Sequence, residues 1–130
     1  MGAERIAAVQ SYFQALEHTD FPAALELLDD DFEFDYSRSR GPLQGIYRGK
    51  AELNRWYENF VDAFSEFEAI ETEISEVGDR VLRAGGFRAR GRGSGVEATA
   101  MGATLWSFRG NVPIKAVLYQ SKEDALADIG

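Results

Sequence analysis

Acidic, basic and aromatic side chains are concentrated in one stretch of the chain, the segment DDDFEFDYSRSRGPLQGIYRG between residues 29 and 49. Carboxylates at this density could bind a metal ion, act as general bases or form the polar rim of a pocket. The run Asp29, Asp30 and Asp31 follows a predicted helix, so its side chains should point in different directions. The chain has only one histidine and no cysteine that could complete a metal site with these carboxylates. We therefore interpret the run as a solvated helix end and predict no metal site.

Asp35 is the carboxylate of this segment that could serve as a general base. In the alternating stretch DFEFDYS, Phe32, Phe34 and Tyr36 share one strand face, and Asp35 lies on the other. This pattern favours a surface acid, and the arginines of the segment are its candidate partners: Arg38, Arg40 and Arg48. The alternative is a β-bulge at the strand end, which would rotate Asp35 inward. Either Tyr36 or Asp35 could then transfer a proton.

Two side chains of the first predicted helix could also take part in chemistry. Tyr12 lies beside the apolar stripe of that helix, so its hydroxyl could donate a hydrogen bond into a pocket. The alternative for Tyr12 is a core tyrosine whose hydroxyl is satisfied within the protein. His18 lies at the end of the helix, where the helix dipole favours histidine, and we interpret it as exposed. A proton shuttle is the alternative for His18.

Basic residues on two later strands could bind an anion or act as a base. Arg88, Arg90 and Arg92 alternate with small residues. We interpret them as an outer sheet face opposite acids of a neighbouring strand, with an anion site as the alternative. Lys115 shares a strand face with Tyr119 and could be a buried base, although a solvated lysine is the simpler interpretation.

Hydrophobic periodicity predicts the elements that position these residues. Apolar residues at helical spacing predict three helices within residues 1–28 and 50–64, and the spacing changes to that of strands after Phe64. Residues 66–120 alternate between glycine-containing turns and predict a sheet. The last segment, SKEDALADIG, predicts a short helix. Helices followed by strands indicate an α+β fold, in a single domain over residues 1–130.

Composition argues against several classes of function. The 130 residues are 45% hydrophobic, which is enough for one core. The net charge of −8 argues against a nucleic-acid partner, which would need a basic surface. The absence of cysteine excludes disulfides, thiolate nucleophiles and zinc–thiolate sites. We find no apolar run of membrane-spanning length and no secretory leader, so we predict no membrane partner and a cytoplasmic location.

The order of these elements resembles the SnoaL-like branch of the NTF2-like superfamily, which includes ketosteroid-isomerase-like proteins and polyketide cyclases. Four stretches carry the resemblance: VQSYFQAL, DFPAALELLDDDFEFD, GPLQGIYRGKAEL and LYQSKEDAL. The resemblance implies three helices of the N-terminal half packed on a curved, mixed, mostly antiparallel sheet. It also implies a cone-shaped apolar pocket and a homodimer. Because this fold carries many chemistries, it does not specify a reaction.

The resemblance also implies roles for particular residues. Tyr12, in VQSYFQAL, matches the tyrosine that isomerases of this fold use as an oxyanion donor. The two carboxylates that accompany it in those enzymes fall on Tyr36 and Thr104, so neither carboxylate is present. The pattern of the epoxide hydrolases of this fold falls near residues that carry no acid or arginine: Gly85, Phe87 and Val117.

These observations lead to two functional hypotheses. In the first, the chain is a cofactor-independent isomerase, cyclase or hydrolase that acts on a small apolar or polyketide-like molecule, with Tyr12, Tyr36 and Asp35 as candidate catalytic residues. In the second, it is a non-catalytic small-molecule-binding or dimeric scaffold domain. The predicted pocket-lining residues are Phe13, Leu16, Phe34, Trp56, Phe60, Thr104, Trp106 and Tyr119. We predict no cofactor and no metal, and a homodimer through the outer sheet face that carries Met101 and Leu105.

Overall fold

The helices and strands of the structure follow the order that the hydrophobic spacing of the sequence predicts. A computed structural model of the protein describes residues 2–38 and 44–129. The helices are α1 (Gly2–Glu17), α2 (Phe21–Glu26), α3 (Gly49–Ala63) and α4 (Lys122–Ile129). The strands are β1 (Glu33–Asp35), β2 (Ile46–Arg48), β3 (Phe64–Val77), β4 (Arg80–Gly91), β5 (Glu97–Arg109) and β6 (Val112–Tyr119).

The strands form one open, six-stranded sheet in the order β2-β1-β6-β5-β4-β3. Strand β1 runs parallel to β6, and the other neighbouring strands are antiparallel. The predicted α+β fold with a mixed, mostly antiparallel sheet is therefore confirmed. The parallel pair joins two segments that are far apart in the sequence, Glu33 with Lys115 and Asp35 with Val117. Parallel strands cannot be joined by a tight turn, and the connection from β1 to β6 contains α3 and the other four strands.

An aromatic core holds the helices against one face of the sheet. Trp106 of β5 is completely buried, and its ring lies 5.3 Å from the ring of Tyr12 in α1 and 5.9 Å from that of Phe32. Phe34 of β1 is 2% exposed and lies 6.2 Å from the same indole. The predicted alternation of β1 is thus observed, with Phe32 and Phe34 facing the core. Large aromatic surfaces removed from water supply most of the stabilisation in such a cluster.

A group of glycines lets three strands approach each other closely. Gly85 has φ of +147°, and a Cβ at this position would lie 2.0 Å from the carbonyl oxygen of Ile70 in β3. At Gly86, a Cβ would lie 1.8 Å from the carbonyl oxygen of Ala100 in β5. The register of β3 against β4 shifts between Glu71 and Glu73, opposite this point. A bulge next to a glycine bends and twists a strand pair, so the sheet is expected to bend at this point.

The outer face of the sheet is partly covered by the chain itself. Helix α4 places Ala125 against Leu105, Leu82 and Tyr119, and Leu105 is only 3% exposed. The expectation that Leu105 contributes to an uncovered outer surface is therefore wrong, because α4 packs over it. Met101 on the same strand is 51% exposed.

Charged pairs occupy another part of the outer surface. Arg88 lies 3.4 Å from Glu68 of β3 and 3.4 Å from Glu97 of β5. Arg90 lies 3.5 Å from Glu66. The interpretation of Arg88 and Arg90 as cross-strand partners of acids is confirmed. Arg92 differs, because it donates hydrogen bonds to the carbonyl oxygens of Val61 and Phe64 at the end of α3.

We expect Gly86→Ala to destabilise the protein more than Gly93→Ala. The added methyl at residue 86 meets a β5 carbonyl, so the two strands must separate, at a cost of about 3 kcal/mol. Gly93 has φ of +89° and open space around its Cβ position, so its substitution costs only backbone strain, about 1 kcal/mol. Urea unfolding of both variants measures the difference. Equal free energies of unfolding would show that the close approach at Gly86 does not constrain the sheet.

Candidate functional site

A cavity of about 420 Å³ lies between helices α1 and α3 and the inner face of the sheet. Most of its wall is aromatic or aliphatic, and the glycines of β4 and β5 form part of the wall. Pockets of this size and composition accommodate small organic molecules, with a few polar groups fixing the orientation. The cavity is therefore the candidate functional site.

Most of the residues that the sequence predicts as catalytic or pocket-lining belong to the cavity wall. Those that line it are Tyr12, Phe13, Leu16, Phe34, Tyr36, Trp56, Phe60, Thr104 and Tyr119. Trp106 lies behind the wall, completely buried, and donates a hydrogen bond to Thr104 Oγ1 at 2.9 Å. Trp106 thus supports Thr104 rather than forming the surface of the cavity. This hydrogen bond uses Thr104 as an acceptor and fixes the orientation of its side chain.

The hydroxyls of Tyr12 and Tyr57 form a buried pair, 2.6 Å apart. Tyr57 comes from α3, and nothing in the sequence pattern identified it as the partner of Tyr12. Burial raises the pKa of Tyr12 well above its usual value, and the neighbouring Tyr57 adds to this effect. Burial also raises the pKa of Tyr57. Both phenols therefore stay protonated at neutral pH. Tyr12 lines the cavity and Tyr57 does not, so when Tyr57 donates to Tyr12 the hydrogen of Tyr12 can reach a ligand oxygen.

Tyr36 and Trp56 add two further polar groups to the cavity wall. Their rings are 5.6 Å apart and pack edge to face. Burial raises the pKa of Tyr36, with Tyr57 and Tyr47 reinforcing the shift and Arg83 opposing it. Tyr36 is therefore a hydrogen-bond donor rather than a base near neutral pH. The indole Nε1 of Trp56 is buried and has no hydrogen-bond partner among residues 2–38 and 44–129.

Asp35 lies at the end of β1, outside the residues that line the cavity. It accepts hydrogen bonds from the backbone N–H and the hydroxyl of Ser37 and lies 3.6 Å from Arg38. Burial opposes the ionisation of Asp35, but the hydrogen bonds from Ser37 and the charge of Arg38 outweigh it and lower the pKa of the carboxyl. The hydrogen bonds from Ser37 and the charge of Arg38 thus keep the Asp35 carboxylate ionised. Arg40, another of its candidate partners, lies outside the described residues, and Arg48 pairs instead with Glu33 at 2.7 Å.

Tyr119 reaches the cavity with part of its ring, but its hydroxyl faces α4. That hydroxyl donates a hydrogen bond to Asp128 at 2.5 Å, and the guanidinium of Arg38 lies 5.0 Å from the ring centre. Burial and the Asp128 carboxylate raise the pKa of Tyr119 to about 12. Tyr119 therefore contributes shape to the cavity, while its hydroxyl joins the C-terminal helix to the sheet.

Lys115 of the same strand does not face the cavity, because it pairs with Glu33 at 3.3 Å.

Arg83 of β4 is a charged residue of the cavity wall that the sequence did not predict for the pocket. Its side chain is 4% exposed, and its guanidinium lies 3.7 Å from the centre of the Phe13 ring. Burial lowers the pKa of Arg83, while the charges of Glu71 and Glu17 oppose the shift. Strand alternation could have identified it, because Val81, Arg83 and Phe87 are separated by even numbers of residues. Its cross-strand partner is Thr104, which the sequence did place in the pocket.

The other candidate acids and the histidine lie away from the cavity. Asp29 pairs with Arg109 at 3.1 Å, and Asp30 pairs with Lys50 at 3.1 Å. His18 is exposed, as interpreted from the sequence. No acidic side chain belongs to the described wall of the cavity. In the part of the chain that the structure describes, no group of three or more acidic, histidine or cysteine residues is arranged to bind a metal ion.

Membrane-spanning helices are also absent from the described residues, since none of their helices is both long and apolar enough to cross a bilayer.

Comparison with known proteins identifies the family and the fold. A search of curated protein sequences finds no match. An NTF2-like protein of unknown function from Burkholderia pseudomallei has a TM-score of 0.78 and 19% identity, with 95% of each chain covered. TerC, crystallised with polyporic acid, has a TM-score of 0.76 and 18% identity, with 96% of each chain covered.

A protein described as a SnoaL-like polyketide cyclase, from Shewanella denitrificans, has a TM-score of 0.75 and 18% identity over 95% of this chain and 97% of its own. At these identities the solved structures establish similarity of fold, here the NTF2-like fold. The family model of the SnoaL-like domain matches residues 9–112, which is most of the chain. Together with the helices and the open curved sheet, this match shows that the chain belongs to the SnoaL-like domain family.

Proposed function

We propose that this protein binds a small, largely apolar molecule with at least one oxygen acceptor in the cavity between α1, α3 and the sheet. The observation that carries the proposal is the cavity itself, about 420 Å³ in volume, with an aromatic wall and buried hydroxyls. The aromatic wall suits a planar ring system. The Tyr12–Tyr57 pair suits a carbonyl oxygen, because one of its hydrogens is not used within the pair.

The related structures are consistent with this ligand class. One relative was crystallised with polyporic acid, and another is described as a polyketide cyclase. These descriptions concern those proteins, and for this chain they support a polyketide-like or other ring-containing ligand.

A second candidate function is catalysis by the same donors. If the ligand carbonyl becomes an oxyanion during an isomerisation or cyclisation, the Tyr12–Tyr57 pair could stabilise it by roughly 3 kcal/mol. In this proposal Tyr36 or Asp35 would handle the proton, as the sequence suggested. Two observations favour binding over catalysis by those groups. Burial raises the pKa of Tyr36, and the hydrogen bonds of Asp35 are directed to Ser37.

We also propose a homodimer through the outer face of the sheet. Helix α4 covers Leu105, but Met101 remains 51% exposed and Val96 remains 66% exposed. Exposed apolar side chains on β5 and in the segment just before it suit a protein contact. Met101 also belongs to the cavity wall, so the self-contact would lie beside the site.

Blocking the cavity tests the binding proposal. We expect 1-acetonaphthone, a small aromatic ketone, to raise the melting temperature of the wild-type protein, because a ligand that binds only the folded state stabilises it. Ala100 lines the cavity and is exposed, so Ala100→Trp should occlude the space without disrupting the core. Ala98 lies on the same strand, is exposed and does not belong to the wall, so Ala98→Trp is the matched control.

The expected result is a thermal shift in the wild type and in Ala98→Trp, and no shift in Ala100→Trp. An equal shift in both variants would place the binding site elsewhere and contradict the proposal.

A double-mutant cycle tests the hydroxyl pair. Tyr12→Phe leaves the hydroxyl of Tyr57 buried without its partner, so we expect a loss of about 1–3 kcal/mol in the free energy of unfolding. Tyr57→Phe should cost a similar amount, whereas the double variant should cost less than the two losses combined, because no orphaned hydroxyl remains. Urea unfolding measures stability, and titration with 1-acetonaphthone measures affinity. Additive losses of stability, together with unchanged affinity in the double variant, would remove the pair from the site.

Sedimentation tests the dimer. We expect the wild type to sediment as a dimer at micromolar concentration and Met101→Glu to shift it toward the monomer, because a charge in an apolar contact is costly. Val112, which is 43% exposed at the opposite end of the β5–β6 hairpin, supplies the control Val112→Glu. A wild-type monomer at this concentration would refute the dimer.

A further inference from the structure

Arg83 places a positive charge inside a cavity that otherwise suits apolar ligands. The side chain is 4% exposed and belongs to the cavity wall. Burying a guanidinium among aromatic rings is unfavourable unless its charge and its N–H groups are matched by partners. The partners of Arg83 within the described residues are therefore informative about what the cavity binds.

Those partners do not satisfy the guanidinium. Nη2 donates a hydrogen bond to the carbonyl oxygen of Ile70 at 3.0 Å. Nε lies 3.7 Å from Glu71 Oε1, which is close enough for an ion pair but too long for a hydrogen bond. Nε accordingly has no hydrogen-bond partner in the described part of the chain. A guanidinium has five N–H donors, so most of those of Arg83 have no acceptor within residues 2–38 and 44–129.

The surrounding wall has the same imbalance between donors and acceptors. Tyr12 and Tyr36 are protonated phenols of the wall, the hydroxyl of Tyr12 being paired with that of Tyr57, which does not belong to the wall. Trp56 Nε1 is a donor without a partner among the described residues. Thr104 accepts from Trp106. The other polar side chains of the described wall include the neutral amides of Asn59 and Gln120 but no carboxylate, so a carboxylate that binds Arg83 within the cavity must come from the ligand.

We propose that the ligand of this cavity is a planar aromatic carboxylate whose two oxygens bind Arg83 while its rings pack against the aromatic wall. This inference rests on the proposed function, because it assigns the ligand class of the same cavity. A guanidinium binds both oxygens of a carboxylate through parallel N–H groups, which favours this anion over a neutral carbonyl. The ring of Phe13 lies against the guanidinium 3.7 Å away, which holds the plane of the guanidinium in a fixed orientation.

The net negative charge of the protein disfavours the binding of anions. A preference for a carboxylate ligand must therefore come from the cavity itself. The net charge is −8, and a negative molecule approaches such a protein against a repulsive field. Exposed arginines such as Arg88 are paired with glutamates and lie 46% exposed, where salt screens their attraction. A buried arginine is screened much less, so binding through Arg83 should persist at high salt.

The experiment compares two probes of nearly equal shape, 1-naphthoate and 1-acetonaphthone, which differ by an anionic oxygen in place of a methyl group. Titration calorimetry of the wild type at pH 7 should show 1-naphthoate binding about tenfold more tightly. The same preference should remain in 0.5 M salt, chosen as roughly three times physiological ionic strength. Arg83→Gln should abolish the preference and leave 1-acetonaphthone affinity within about twofold, since only the charged contact is lost. Arg88→Gln is the matched control and should retain the preference.

Each outcome decides the proposal. If 1-acetonaphthone binds and 1-naphthoate binds no better, the carboxylate inference is wrong while the binding function stands. If neither probe binds, the binding function and the inference fail together. A preference that survives in Arg83→Gln would also overturn the inference. If Arg83→Gln does not fold, Arg83→Lys keeps a charge but not the paired N–H groups, and a preference reduced several-fold supports the proposal, while an unchanged one overturns it.

Discussion

The close approach of β3, β4 and β5 is the constraint on which the cavity depends. At Gly85 and Gly86 the neighbouring carbonyl oxygens occupy space that any side chain would need. Gly102, directly opposite Gly85, is under the same constraint, since a Cβ there would lie 2.6 Å from the carbonyl oxygen of Tyr119. The bulge in β3 at this point bends the sheet, and the absence of side chains leaves the volume that α1 and α3 do not fill. The same glycines that permit the curvature therefore line the site.

At and behind the wall of that cavity, burial keeps three phenols and one guanidinium protonated, so that they can donate hydrogen bonds. The phenols of Tyr12, Tyr57 and Tyr36 resist ionisation because a charged oxygen would lose its hydration. Arg83 keeps its charge because a guanidinium ionises so readily that burial lowers its pKa without neutralising it. Such a site is preorganised to stabilise negative charge on a ligand, whether that charge is permanent or develops during a reaction. No carboxylate belongs to the described wall of the cavity, and Asp29, Asp30 and Asp35 pair with Arg109, Lys50 and Arg38 outside it.

Membership of the SnoaL-like family fixes the scaffold but leaves the chemistry to individual residues. At the two positions where the isomerases resembled by this chain carry carboxylates, the chain has Tyr36 and Thr104. Tyr36 is a weak base in its buried environment, and Thr104 accepts a hydrogen bond from Trp106. The site thus keeps a tyrosine donor, extends it through Tyr57 and adds an arginine. These differences are the physical basis for preferring an anionic ligand over the neutral molecule that the aromatic wall alone would indicate.

The sequence by itself determined the elements and much of the pocket wall, because both depend on local periodicity. Helical spacing identified Tyr12, Phe13 and Leu16 as neighbours, and strand alternation placed Phe34 and Tyr36 together on the inner face of the sheet. The tertiary structure decided the contacts between segments that are far apart in the sequence. The Tyr12–Tyr57 pair joins residues 45 positions apart, and the burial of Leu105 depends on where α4 docks. Arg83 reaches the cavity because β4 pairs with β5 in the register that sets it beside Thr104, and a shift by one residue would have turned it to the outer face.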